Sequence, residues 1–322
     1  MNREIEKGLR EIARGLLESG QVQLVIGYGR GTEAVRTTPV FIRKPNDAEN
    51  LVYNPLCGNN LVKYLLDHRN KEGKVAVCVK GCDSRAVNRL LQDRQIERDK
   101  VYLIGLPCRG VLDPSKVEEI IDPGEEIRET VITGEGYELV TATGKHLLGM
   151  AAAGAEKCGA CENHNPVVYD VMAGDPVNVH DVKNDNYIDV KKLEDLTVDQ
   201  KAEYWNRQFS RCLRCYACRN SCTACSCREC VFDQVNTGWV SRSNNLSENT
   251  AFHLIRAFHV AGRCVDCGEC ERVCPVNIPL RVLNRKIIKD LKDLFNAPTP
   301  GLTPDGERVL GQFSADDPEE FM

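Results

Sequence analysis

Apolar residues recur at helical spacing in three places along the chain and in short runs at four others. Ile5, Leu9, Ile12, Leu16 and Leu17 form the first stripe, which predicts an amphipathic helix at the amino end. The runs Val22–Ile26, Pro39–Arg43, Lys74–Val79 and Val101–Ile104 read as strands, with a helix near Ser84–Leu91 between the last two. A strand–helix–strand crossover makes its strands parallel. Residues 1–175 are therefore expected to be α/β with a partly parallel sheet. Gly27-Tyr28-Gly29-Arg30-Gly31 follows the first run with no helix signal after it, so a hairpin turn is favoured over a phosphate cradle.

The second half reads differently. Residues 176–205 are rich in Asn, Asp and Lys and predict a linker that ends in a short helix around Tyr204 and Trp205. Two stripes follow: Phe252, Leu254, Ile255, Phe258 and Val260, ended by Gly262, and Leu280, Leu283, Ile287, Ile288, Leu291, Leu294 and Phe295. Residues 206–295 should be mostly helical. Residues 296–322 lack periodicity, contain Pro298, Pro300, Pro304 and Pro318, and are expected to be an extended tail.

Charge and composition narrow the function. The net charge is −5 over 322 residues, with 28% charged. No apolar run nears the roughly 20 residues needed to cross a bilayer, and the amino end has no signal-like core. No membrane span and a cytoplasmic location are expected. A mildly acidic chain lacks the basic footprint of a nucleic-acid binder.

The 17 cysteines change the picture most. The number is odd, the chain is long, and eleven cysteines lie between Cys212 and Cys274, which argues for metal rather than a disulfide framework. The order is Cys212-x-x-Cys215-x-x-Cys218-x-x-x-Cys222, then Cys264-x-x-Cys267-x-x-Cys270-x-x-x-Cys274-Pro275. This run, given twice, is the pattern of two-cluster ferredoxins, in which the fourth cysteine of each run serves the other cluster. Cys212, Cys215, Cys218 and Cys274 are thus expected to hold one 4Fe-4S cluster, and Cys264, Cys267, Cys270 and Cys222 a second. Zinc also favours Cys-x-x-Cys pairs, but it has no need of these repeated spacings. Thr223 stands where proline usually follows the fourth cysteine. Helices around the clusters resemble the α-helical ferredoxin module of heterodisulfide reductase and succinate dehydrogenase iron–sulfur subunits.

The amino-terminal cysteines are dispersed. The crossover brings Cys82 and Cys108 to the carboxyl edge of one sheet, where α/β folds place ligands. With Cys158-Gly-Ala-Cys161 they make four thiolates, enough for a third cubane. Cys78 lies within an apolar strand and reads as core. Cys57, Cys225, Cys227 and Cys230 then remain as a set for a fourth cluster, against a packing role for the last three. Cys57 alternatively belongs to the amino-terminal cluster, in place of one of its four. Cys57 also precedes Gly58, Asn59 and Asn60, a helix start able to hold an anion such as a flavin phosphate. His253 and His259 read as packed or hydrogen-bonding side chains.

Asn54-Pro-Leu-Cys-Gly-Asn-Asn60, Lys80-Gly-Cys-Asp-Ser-Arg85, Ile104-Gly-Leu-Pro-Cys108 and the Cys158/Cys161 segment resemble the β-subunit family of deazaflavin-coenzyme hydrogenases and dehydrogenases, formate dehydrogenase β subunits included. The resemblance covers about residues 20–175. It implies a 4Fe-4S cluster on the loop cysteines, often FAD, and partner subunits in a redox complex of anaerobes. Many relatives carry the dicluster module at the other end. The expected function is an iron–sulfur electron-transfer subunit. The alternative is an FAD-containing subunit that exchanges hydride with a deazaflavin or nicotinamide coenzyme.

Overall fold

A computed structural model describes residues 2–33, 35–121, 125–133, 136–178, 187–234, 238 and 240–306. The chain divides into two compact units, residues 1–184 and 185–322.

In the first unit, helix α1 (Asn2–Glu18) buries Ile5, Leu9, Ala13 and Leu16, while Ile12 and Leu17 of the expected stripe are only half-buried. Strands β1 (Leu24–Arg30) and β2 (Thr37–Ile42) then pair antiparallel. β1 runs on through Gly27 and Gly29, so the predicted turn lies beyond them. The reason is steric: a Cβ on Gly27 would stand 2.3 Å from Leu51 Cδ2, and one on Gly29 2.4 Å from Val40 Cγ1. These glycines let neighbours close over the strand.

Strand β3 (Val75–Val79), helix α2 (Gly81–Gln92) and strand β4 (Val101–Gly105) form the crossover, with β3 and β4 parallel. Helix α3 (Pro114–Glu118) follows. Then come strands β5 (Ile127–Ile132), β6 (Gly136–Thr141) and β7 (Lys145–Gly149), and short helices α4 (Met150–Ala153) and α5 (Glu156–Gly159). The two-residue strand β8 (Val171–Met172) returns to the sheet beside β4. The five-stranded order is β2-β1-β3-β4-β8, parallel except at β2. β5, β6 and β7 make a separate antiparallel sheet that was not legible in the sequence. Leu112, Val117, Tyr137, Leu139, Leu148 and Ala153 share its core with Val35 and Leu56.

The second unit is helical: α6 (Ile188–Glu194), α7 (Val198–Ser210), α8 (Ala217–Asn220), α9 (Leu246–His259), α10 (Glu269–Arg272) and α11 (Leu280–Phe295). The stretch 176–205, expected as a linker, carries α6 and the start of α7. Thr197 and Gln200 account for this. Thr197 Oγ1 accepts from the Gln200 N–H at 3.3 Å, and Gln200 Oε1 accepts from the Thr197 N–H at 2.9 Å, a reciprocal cap that starts the helix.

Helix α9 turns an unexpected face inward. It buries Asn249, Phe252, His253, Arg256 and Ala257, while Leu254 and Phe258 are exposed, the latter by 68%. In α11, Arg281 and Arg285 are buried and both bind Asp266, at 2.6 and 2.7 Å. Arg285 also binds Asp189 of α6 at 2.8 Å. Asp266 lies between Cys264 and Cys267 with a left-handed backbone, so this charge network ties the second cysteine loop to two helices. Of the predicted tail, residues 307–322 lie outside the described residues. No helix among the described residues is long and apolar enough to cross a membrane.

Candidate metal centres

In the second unit, the loop before α8 carries Cys212 and Cys215, and α8 itself carries Cys218. The loop after α10 returns Cys274 to the same place. Burial raises the Cys212 thiol, and Cys274 and Cys215 raise it further. Cys218 is raised to about 11, by burial first and then by Cys212, Cys274 and Cys215. These four cysteines, with Leu213, Phe252 and Ile278 among others, line one small cavity of about 20 Å³. Backbone N–H groups also point at the sulfurs: Arg214 N lies 3.4 Å from Cys212 Sγ, and Ile278 N 3.3 Å from Cys274 Sγ.

The second set mirrors the first. Cys264 is raised to about 12, by burial and then by Asp266 and Cys222. Cys270 is raised by burial, with Cys264 and Cys222 adding to it. So Cys222, the last cysteine of the first run, meets cysteines of the second run, which Cys267 joins from the same loop. Cys222 differs from its neighbours in being held well below the usual thiol range. A hydrogen bond from the Cys225 thiol is the largest cause, and Arg256 contributes.

α9 holds the first of these loops. The Asn249 amide donates to the carbonyls of Phe209 and Cys212, both at 3.1 Å. His253 Nε2 lies 3.3 Å from Cys212 Sγ, and the ring stacks on Phe209 at 4.7 Å. Burial, Arg256 and Arg214 push the imidazole down to about 3, so the ring is neutral. It has one N–H to give, and its buried Nδ1 has no partner. Phe209 stacks in turn on Trp205 at 5.3 Å. The stripe pattern concealed all this, because Asn249, His253 and Arg256 break the apolar periodicity that normally marks a buried face.

In the first unit, Cys82 opens α2 and Cys108 follows β4, at one carboxyl edge of the sheet. The chain leaves this edge and comes back with α5, which carries Cys158, and then Cys161. Cys108 is raised to about 11, by burial first and then by Cys158, with Cys161 adding to it. Cys82 is raised by burial and Asp83, with Cys161 in range. The returning arm is pinned to Cys108: the Cys108 N–H donates to His164 O at 2.8 Å, and His164 Nδ1 lies 3.0 Å from Cys108 O. Gly81 makes the approach possible, since a Cβ there would stand 1.8 Å from Asn163 O.

Under this edge lies a charge pair that the sequence did not reveal. Lys80 and Asp83 are each only 1% exposed and 2.7 Å apart. Lys80 Nζ also donates to Asn59 O at 3.1 Å and to the Tyr28 hydroxyl. Burial opposes the lysine's charge, but Asp83, Cys82 and Cys108 together raise its pKa.

Cys57 is buried beside this network, 0% exposed, and raised to about 12 by burial. Its thiol faces Val52 O and Asn54 Oδ1 at 3.8 and 3.9 Å. Cys57 is thus enclosed within the first unit. In the second unit, Cys225 leans on Cys222, Cys230 lies near Arg219, and Cys227 is exposed. Cys78 is core, as expected.

The segment after Cys57 is a 3₁₀ turn, Leu61–Asp67, rather than an α-helix. Its Val62 N–H is taken by the Asn60 side chain at 3.1 Å. The Gly58 and Asn59 carbonyls accept from Lys157 and Lys80. The loop therefore turns acceptors toward the site, while its first donor is already used. Among the described residues, no group of three or more His, Cys, Asp or Glu is gathered tightly enough for a single metal ion.

Comparison with known proteins matches residues 72–239 to the model of the coenzyme F420 hydrogenase/dehydrogenase β subunit, carboxyl-terminal part. The chain belongs to this family. The matched stretch contains Cys82, Cys108, Cys158, Cys161 and the whole first run. A 4Fe-4S binding domain matches residues 258–279, which contain Cys264–Cys274. The family member named F420-dependent formate dehydrogenase subunit beta, from Methanocaldococcus jannaschii, is 26% identical over 339 residues, covering 86% of this chain and 87% of the relative. F420-dependent formate dehydrogenase 1 subunit beta of Methanococcus maripaludis is 27% identical over 358 residues, covering 92% and 90%. Among solved structures, a chain of the F420-reducing NiFe hydrogenase complex from Methanosarcina barkeri aligns with a TM-score of 0.41 and 20% identity, over 51% of this chain and 64% of that one.

Proposed function

We propose that the chain is the iron–sulfur electron-transfer subunit of a formate dehydrogenase-like or hydrogenase-like complex that uses the F420 coenzyme, with three 4Fe-4S clusters. Cys212, Cys215, Cys218 and Cys274 hold the first, Cys264, Cys267, Cys270 and Cys222 the second, and Cys82, Cys108, Cys158 and Cys161 the third. One observation carries this reading: Cys274 meets the first run while Cys222 meets the second, the exchange that a doubled ferredoxin run requires. Each cluster, when bound, takes up and passes on one electron. The chain's own residues supply thiolates, backbone N–H groups aimed at sulfur, and buried cations. Such groups favour the more negative, reduced state of a cluster.

Three clusters rather than four is the reading supported by Cys57, whose buried thiol faces Val52 O and Asn54 Oδ1. Cys225 then serves as a hydrogen-bond donor to Cys222 rather than as a ligand. The partners are the catalytic subunits that the related proteins' names imply. Anaerobic purification with iron and sulfide analysis tests the count: about 12 irons per chain, at four per cubane, against about 8 or about 16. Acid extraction with flavin fluorescence tests the alternative in which this subunit carries FAD.

A further inference from the structure

Arg256 is 3% exposed on the inner face of α9. Its Nη2 donates to the Cys218 carbonyl at 2.9 Å, and its Nε is buried without a partner. Among the described residues no carboxylate pairs with it. A buried cation without a counter-charge is costly, so the anion it answers must be sought among its neighbours. Those neighbours are thiols from both sets: Cys218 of the first, Cys222 and Cys270 of the second, and Cys225 beside Cys222. α8 and α10, which carry Cys218 and Cys270, pack on each other, so the guanidinium lies at the seam between the two sets.

We propose that Arg256 is the shared counter-charge of the two carboxyl-terminal clusters, one buried cation that raises the reduction potential of both. The proposal rests on the cluster assignment above. A cubane with four thiolates is anionic and gains one more negative charge on reduction. A fixed positive charge in a poorly screened interior therefore favours the reduced form of each neighbour. Arginine suits the position because it keeps its charge when buried and spreads its donors over a planar fork. One donor holds the Cys218 carbonyl, and the unpartnered Nε–H is left to sulfur. Arg256 is a positioning residue: it holds the ligand loop and sets the field.

The test is Arg256→Gln in the full chain, loaded anaerobically. Iron content is checked first, and the protein is then titrated potentiometrically by electron paramagnetic resonance. Both carboxyl-terminal midpoints should fall together, by about tenfold in each reduction equilibrium, which is about 59 mV for a one-electron couple. The amino-terminal cluster serves as the reference signal. A shift in only one carboxyl-terminal cluster, or in neither, overturns the proposal. If the glutamine variant does not load, Arg256→Lys decides. Two clusters with near-native midpoints then show that the charge is what the site needs, and loss of both clusters again shows a purely structural residue. A wild-type chain without carboxyl-terminal cluster signals overturns the assignment itself and this inference with it.

Discussion

The two units build their sulfur sites in opposite ways. In the second, each ligand loop is local: three cysteines fall within seven residues, and only the fourth arrives from elsewhere. In the first, every arm is distant in sequence, and the fold alone assembles them. Cys82 comes from the start of α2, Cys108 from the end of β4, and Cys158 and Cys161 from an excursion that ends at β8. The buried cations differ too. The first unit sets Lys80 against Asp83, a full ion pair. The second leaves Arg256 without a carboxylate among the described residues, facing the Cys218 carbonyl and the thiols of both sets. In the site assembled by topology the buried Lys80 is balanced by Asp83, whereas in the site assembled by loops Asp266 balances Arg281 and Arg285 but not Arg256. The first should fail when the fold is disturbed, the second when a ligand is.

The largest expected effect comes from Gly81→Val, which places a β-branched side chain where Asn163 O stands 1.8 Å from even a first carbon. The returning arm must move, the amino-terminal cluster should be lost, and iron should drop from about 12 to about 8 per chain with both carboxyl-terminal signals intact. Loss of all three signals would deny the independence of the two sites.

Asp83→Asn comes next. It leaves Lys80 buried without its partner, at a cost of about 3–5 kcal/mol. Hydrogen exchange at the amides of β3 and β4 should speed up to match, while α9 and α11 stay protected; equal acceleration in both units would contradict the comparison. Cys274→Ala is narrower still. It should abolish the signal of the Cys212, Cys215 and Cys218 cluster and leave unfolding of the first unit unchanged. Selective loss of the other carboxyl-terminal cluster would refute the exchanged fourth ligands. Cys227→Ser should do least: the residue is exposed, and iron content and all potentials should remain as in the parent chain. A loss of four irons would restore a fourth cluster.

What the sequence disclosed follows the same division. The doubled run could be read because its chemistry is written in consecutive spacings. Cys82 and Cys108 could be placed together because a crossover fixes strand direction. The sheet of β5, β6 and β7 escaped notice because its strands are short and half-exposed. α7 was obscured by polar composition, although Thr197 and Gln200 announce it. The face of α9 was misjudged because Leu254 and Phe258 carry the apolar signal while Asn249, His253 and Arg256 take the buried positions. They reach partners 35 to 41 residues away, and no local pattern records such a debt. Lys80 was missed for a like reason: a lysine at a strand end reads as solvated until the fold closes over it.

The excursion between Cys108 and Cys158 begins and ends at one place. Leu112 bridges to Gly154, and the Asp113 N–H donates to Ala153 O at 2.8 Å. The described residues of 113–153 therefore form an annex that begins and ends at one doorway, with a hydrophobic interior shared with Val35, Leu56 and Leu112. Two thiols fifty positions apart in the chain are next-door neighbours across its doorway. Chain added or removed within the annex changes the sequence interval between these ligands without changing their separation. Loop length carries only a slowly growing entropic cost. Replacing β5–β7 with a short turn across Asp113 and Ala153 should thus leave the amino-terminal cluster in place, although the sequence interval between its ligands shrinks.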